Sequence, residues 1–184
     1  MKHPALVAFG SVAFVVALAA APMISTAAPD PTPTPVPMAH PDLSSMSFMM
    51  GTWTCTQMLR GKERPDTSTT TMGYDGAWMV TEDTAPPFDA YRTFAVKSTN
   101  YMTYDASTKQ WIQTGVDNTG GYYTTTSPGW QANTITWTTK GLDGSSATDV
   151  TTKVSDTETN DVSTGTDPTG KVTKLTIHCT KSSS

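Results

Sequence analysis

The sequence predicts an exported, all-β domain: an antiparallel up-and-down barrel of about 8–10 strands, with a β-sandwich as the structural alternative. Three observations point there. Threonine makes up about one residue in five, and a branched Cβ suits a pleated surface better than a helix. The body of the chain breaks into short alternating runs separated by turn residues. Its two cysteines stand in the first and the last of those runs.

The chain opens with an export pattern. Lys2 and His3 precede an uncharged apolar run from Ala5 to Ala21, and Ser25 and Ala27 occupy the −3 and −1 positions of a cleavage site. Residues 1–27 read as a signal peptide. The alternative, a membrane anchor, fits less well: Gly10 and Ser11 interrupt a run that barely reaches the roughly 20 residues of a bilayer span, and no basic stop-transfer cluster follows. Residues 28–41 form a proline-rich spacer. Proline at almost every second position between Pro29 and Pro41 fixes φ and removes donors, so polyproline II is expected. Residues 42–181 are then one barrel domain by length, and 182–184 a short serine tail.

In the domain, Leu43, Met46, Met49 and Met50 recur at helical spacing behind Asp42, which predicts one or two helical turns over Asp42–Met50. Strands follow at Thr52–Leu59, Thr67–Tyr74, Ala77–Thr84, Tyr91–Val96, Asn100–Tyr104, Trp111–Asp117, Tyr122–Thr126, Thr134–Thr139, Ala147–Val154, Thr159–Ser163 and Val172–Thr180. Short turns between them, such as Asp75–Gly76, Asn118–Gly121 and Asp167–Gly170, favour hairpin neighbours and hence a meander. So many strands curl and close, which removes the sheet edges.

The cysteines support closure. Cys55 lies in the first strand and Cys179 in the last, and only a closed barrel makes those strands neighbours. Trp53 and Cys55 share one face, as do Leu175, Ile177 and Cys179, so both cysteines can point inward. An exported chain with an even cysteine count normally oxidises them, which predicts a Cys55–Cys179 disulfide.

The segment Phe48–Met49–Met50–Gly51–Thr52–Trp53 resembles the Gly-x-Trp opening of calycin barrels, the group of lipocalins, fatty-acid-binding proteins and nitrobindin-type proteins. Asp75–Gly76–Ala77–Trp78–Met79–Val80, and Tyr104–Asp105 with Lys109–Gln110–Trp111 and Asp117, are similar to short exported bacterial proteins of the DUF1579 type. The resemblance implies a calycin-like barrel and no assigned activity or catalytic residue.

Charge and motifs narrow the functions. A formal net charge of −4 without any basic run argues against nucleic acid and against anionic membranes as partners. Beyond the signal segment only His40 and His178 remain, and His178 alternates with the inward set. No His-x-x-x-His pair, Gly-x-Ser-x-Gly elbow or phosphate-cradling glycine loop exists, so neither an enzyme nor a resident metal or cofactor is expected. Two exceptions deserve naming. His178 would serve haem if the strand parity were reversed, and Met46, Met49, Met50 and Met58 with His40 would suit copper.

The tryptophans shape the leading reading. Trp53, Trp78 and Trp111 each stand early in a strand, and those strands run in the same direction if they count as the first, third and fifth of the meander. Along the same faces follow Gln57, Glu82 and Gln113, with Arg92 as an ion partner for Glu82. An aromatic floor under polar groups is the make-up of a small-ligand site. The expectation is a periplasmic or secreted, non-enzymatic barrel that binds a small, partly apolar ligand at Trp53, Gln57, Trp78, Glu82, Arg92, Trp111 and Gln113. A structural or interaction module with a filled core, and a haem or copper binder, are the alternatives.

Overall fold

Alternation of side chains along each threonine-rich run gives every strand one face that can be buried and one that stays wet, and antiparallel neighbours extend that into a sheet with two faces. The computed structural model of the chain describes residues 40–59, 61–88, 93–141 and 144–182. The predicted signal peptide, most of the predicted spacer and Arg92 lie outside the described residues.

The strands are β1 (Gly51–Leu59), β2 (Lys62–Gly73), β3 (Trp78–Ala85), β4 (Val96–Asp105), β5 (Gln110–Asp117), β6 (Tyr122–Ser127), β7 (Trp130–Gln131), β8 (Thr134–Lys140), β9 (Ser146–Ser155), β10 (Glu158–Thr166) and β11 (Val172–Lys181). They form one meandering antiparallel sheet, which closes through β1–β11 and through β6–β8. Ten strands make the barrel, and the two-residue β7 pairs beside β8 as an extra. The predicted all-β closed barrel is the fold observed, and the sandwich alternative falls.

Cys55 pairs with Cys179 across the β1–β11 seam, and their sulfurs are bonded. The crosslink joins residues 124 positions apart, for which the chain-entropy model gives up to about 5 kcal/mol, with 2–4 more typical.

A 3-10 turn, Ser44–Met49, plugs one end of the barrel where a helical turn was predicted, with Asp42 Oδ1 accepting from the Ser44 N–H at 2.9 Å. It brings Leu43 and Met46 onto Met79, Met102, Trp111, Ile135 and Trp137, the main apolar core. Phe48 packs edge-on against Trp53 and Trp130. Lys181 donates to the Phe48 carbonyl at 3.0 Å, and the Lys153 ammonium sits 4.3 Å from the Phe48 ring centre. The plug is therefore held by packing and by cations.

Two strand expectations need correcting. No strand runs over Thr93–Ala95: β4 begins at Val96 and continues through the predicted Asn100–Tyr104. Pro86 and Pro87 cannot donate to a ladder and end β3, while Asn118 holds the strand start, accepting from Lys97 N and donating to the Ala95 carbonyl. The short β7 had no alternating signal to reveal it.

Three of the hairpin ends share one device. Asp105, Asp117 and Asp167 each accept from the backbone N–H two residues on, at 2.7–2.8 Å, and from the Ser or Thr hydroxyl there. Such Asx turns fix loop geometry without help from the core.

Candidate functional site

The barrel is filled at the plug end and hollow above it. A cavity of about 660 Å³ occupies the interior. Its lower wall is apolar: Met46, Phe48, Trp53, Met102, Trp130, Ile135 and Trp137. Its upper wall carries Gln57, Arg64, Asp66, Thr70, Thr81, Asp83, Asn100, Gln113, Tyr123, Thr125, Asp149, Thr151 and Asp161.

The polar side chains are organised. Gln113 Nε2 donates to the Tyr123 hydroxyl at 3.0 Å, and Tyr123 donates to Asn100 Oδ1 at 2.6 Å. Asn100 Nδ2 in turn donates to Asp83 Oδ2, which also accepts from the Ser98 hydroxyl at 3.1 Å. This relay crosses β3, β4, β5 and β6. Gly115 makes room for it, because a Cβ there would lie 2.2 Å from Asn100 Oδ1 and 2.5 Å from the Tyr123 ring. On other strands Gln57 donates to Asp66 Oδ2 at 2.7 Å, and Thr151 donates to Asp161 Oδ1.

Burial makes these carboxyls reluctant anions. Asp83 is pushed up to about 6, first by desolvation and then by the nearby Asp66 charge, against the hydrogen bonds from Ser98 and Asn100. Asp161 is likewise raised to about 6, by desolvation first and by Asp149, with the Thr151 bond opposing. Desolvation also raises Asp66, although Arg64 beside it acts the other way. Tyr123 is pushed up to about 12, chiefly by burial, with the Gln113 bond opposing and the charges of Asp83 and Asp149 adding to the rise. One tyrosine thus feels carboxylates on β3 and on β9, which places both in one lumen.

Of the predicted site residues, the lumen receives Trp53, Gln57 and Gln113. Trp111 points inward but lies below the cavity, 4% exposed within the apolar core. Trp78 and Glu82 face outward, because Met79, Thr81, Asp83 and Ala85 take the inner positions of β3. Side-chain size favours Trp78 as an inner residue, but pairing with β2 decides the parity: Thr70, an inner residue, lies opposite Thr81, and their hydroxyls bond at 2.8 Å. Gly73 opposite Trp78 accommodates Val80 on the outer side, where a Cβ would meet Val80 Cγ2 at 2.8 Å. Asp83, not Glu82, is therefore the lumen carboxylate of this strand. Arg92 is outside the described residues, and among those described the cation lining the lumen is Arg64.

The residues raised for haem and copper do not converge. His178 is on the outer face, bonded to Asn160 at 2.9 Å, while Cys179 points in. Met46 is fully buried in the plug core, whereas Met58 is exposed on the outer face of β1. The inner aspartates were missed because an Asp in an alternating Thr-rich run reads as solvent-facing. Only correct parity, through the paired Thr70 and Thr81, exposes them.

No family model and no curated protein matches the chain, so the resemblance to the DUF1579 type gains no support. Solved structures do match. The S-type phycobiliprotein lyase CPES from Guillardia theta aligns with 78% of this chain and 95% of its own, at a TM-score of 0.58 and 10% identity. EF1p2_mFAP2b, solved bound to DFHBI, aligns with 75% of this chain and 97% of its own at a TM-score of 0.36 and 10% identity. The fold is a lipocalin-like barrel. At such identity the likeness speaks of architecture alone.

Proposed function

We propose that this chain is an exported, non-enzymatic barrel that binds a small, partly apolar ligand in its lumen. The carrying observation is the cavity itself: about 660 Å³ lying over an aromatic floor, with hydrogen-bonding groups above. That volume is within the range of small-molecule sites. A filled structural core is the reading it disfavours, since close-packed interiors leave few voids larger than a water. Export is supported by the Cys55–Cys179 bond, which persists in oxidising compartments.

The non-enzymatic reading rests on the chemistry of the lumen groups. Tyr123, held protonated by its raised pKa, is a poor base near neutral pH, and His178 faces away from the lumen. The raised carboxyls of Asp83 and Asp161 are engaged by Ser98, Asn100 and Thr151, with no nucleophile motif in the sequence to use them. The test is a mass spectrum of natively purified protein, followed by titration with fatty acids, aromatic dyes and haem. Trp53, Trp130 and Trp137 line the cavity, so a ligand stacking there should quench tryptophan fluorescence, and Trp53→Phe should change the amplitude. Absence of carried-over ligand together with no quenching by any member returns the protein to the structural-module reading.

A further inference from the structure

The charge of the lumen identifies the class of ligand. Four carboxylates, Asp66, Asp83, Asp149 and Asp161, line the cavity, against the guanidinium of Arg64 among the described lining residues. Arg64 acts on Asp66, its neighbour on the inner face of β2. The remaining three sit on β3, β9 and β10, around a space whose floor is aromatic. Carboxylates are rarely placed inside a barrel unless something offsets their desolvation. An independent feature shows that the wall is built to receive a polar group. The Thr125 side chain is only 4% exposed and lines the cavity, yet its hydroxyl has no hydrogen-bond partner. A buried hydroxyl without a partner costs free energy that a ligand can restore.

Resting on the ligand-binding reading above, we infer that the lumen takes an amphiphilic cation: a ring or short apolar body over the Trp53–Trp130–Trp137 floor, and a protonated amine among Asp83, Asp149 and Asp161. The amine has the right valence for this wall. Its N–H groups donate to carboxylate oxygens and to the Thr125 hydroxyl, and its charge relieves repulsion between the carboxylates. A carboxylate-bearing ligand of the same shape brings a further negative charge beside them.

The experiment uses three naphthalene probes of matched size: 1-naphthylethylamine as the cation, 1-naphthaleneethanol as the neutral analogue and 1-naphthaleneacetate as the anion. Each is titrated into the full-length protein near neutral pH by calorimetry. The expected order is amine, then alcohol, then acid, with the amine favoured over the alcohol by about tenfold or more. In Asp83→Asn/Asp161→Asn the gap between amine and alcohol should narrow, the amine losing more affinity than the alcohol. Should that variant fail to fold, the wild-type series decides alone. Equal binding of amine and alcohol overturns the inference and leaves the ligand-binding reading standing. Tightest binding of the acid also overturns it, in favour of Arg64 as the dominant charge. Binding of none of the three overturns the inference as well, and the ligand-binding reading then stands or falls on the mass spectrum and the fatty-acid, dye and haem titrations.

Discussion

The plug end and the lumen are built on the same strands by the same alternation, and they obey opposite rules. At the plug end the inward positions are Met79, Met102, Trp111, Ile135 and Trp137, packed against Leu43 and Met46. A few residues away on the same strands, the inward positions become Asp83, Asn100, Gln113 and Thr139. One half of the interior stabilises the barrel, and the other half strains it. A protein shaped only by stability would have continued the apolar half, so the polar half points to function.

Tryptophan substitutions test this contrast most strongly. Trp111→Ala opens a void inside the packed end and should cost about 3–5 kcal/mol. Trp78→Ala, on the half-buried outer face of β3, should cost about 1 kcal/mol, the ordinary scale of a point mutation. Chemical denaturation of both variants measures the difference. Equal losses would show that Trp78 is a core residue and that the parity assigned to β3 is wrong.

These two residues also show how far the sequence could be read. The closed meander, the disulfide and the inward Trp53, Gln57 and Gln113 were legible, since each follows from alternation within a strand whose ends were well marked. Trp78 and Glu82 were misplaced because parity inside one strand depends on its neighbour. The turn at Tyr74, Asp75 and Gly76, all at positive φ, sets the phase of β3 in a way that residue size does not reveal. The depth of Trp111 was equally hidden, since it depends on where the Ser44–Met49 plug comes to rest.

The aspartates carry the comparison further. At the hairpin ends Asp105 is lowered to about 2, and Asp167 is lowered too, by hydroxyl and backbone N–H donors that favour the charged form. In the lumen Asp83 and Asp161 are raised to about 6 by burial. Replacing the inner pair by Asp83→Asn/Asp161→Asn should therefore stabilise the empty protein near neutral pH, by on the order of 1–3 kcal/mol after partial loss of the Ser98 and Thr151 bonds. A large destabilisation would mean that the hydrogen bonds outweigh desolvation.

The two sets should also separate by pH. Above about 6 the lumen pair is ionised in the folded chain and its full cost is present. Between about 6 and 4 the folded state takes up protons that the unfolded chain does not, so stability rises on acidification. Below about 4 the hairpin aspartates act in the opposite sense. Their lowered values mean the unfolded chain protonates first, so stability falls as pH drops toward about 2. Urea midpoints across this range should pass through a maximum near pH 4. The inner double variant should lose most of the limb between 4 and 6, keeping the part that Asp66 contributes, and keep the one below it.

The smallest expected effect belongs to a single hairpin end. Asp167→Ala removes an acceptor shared by the backbone N–H groups of Thr169 and Lys171 and by the Thr169 hydroxyl. The turn lies on the surface, where water can replace those bonds, so the melting temperature should fall only slightly and the lumen should be untouched. Amide exchange is the more sensitive measure: Thr169 and Lys171 should exchange faster in the variant while amides of the plug-end core keep their protection. Asp167→Asn retains a side-chain carbonyl acceptor and should restore most of the protection, because the turn needs an oxygen at that place more than it needs a charge. If Asn fails to rescue, the negative charge itself holds the turn, and the contrast with the lumen becomes sharper. The same ionised group would then be stabilising at the rim and costly inside.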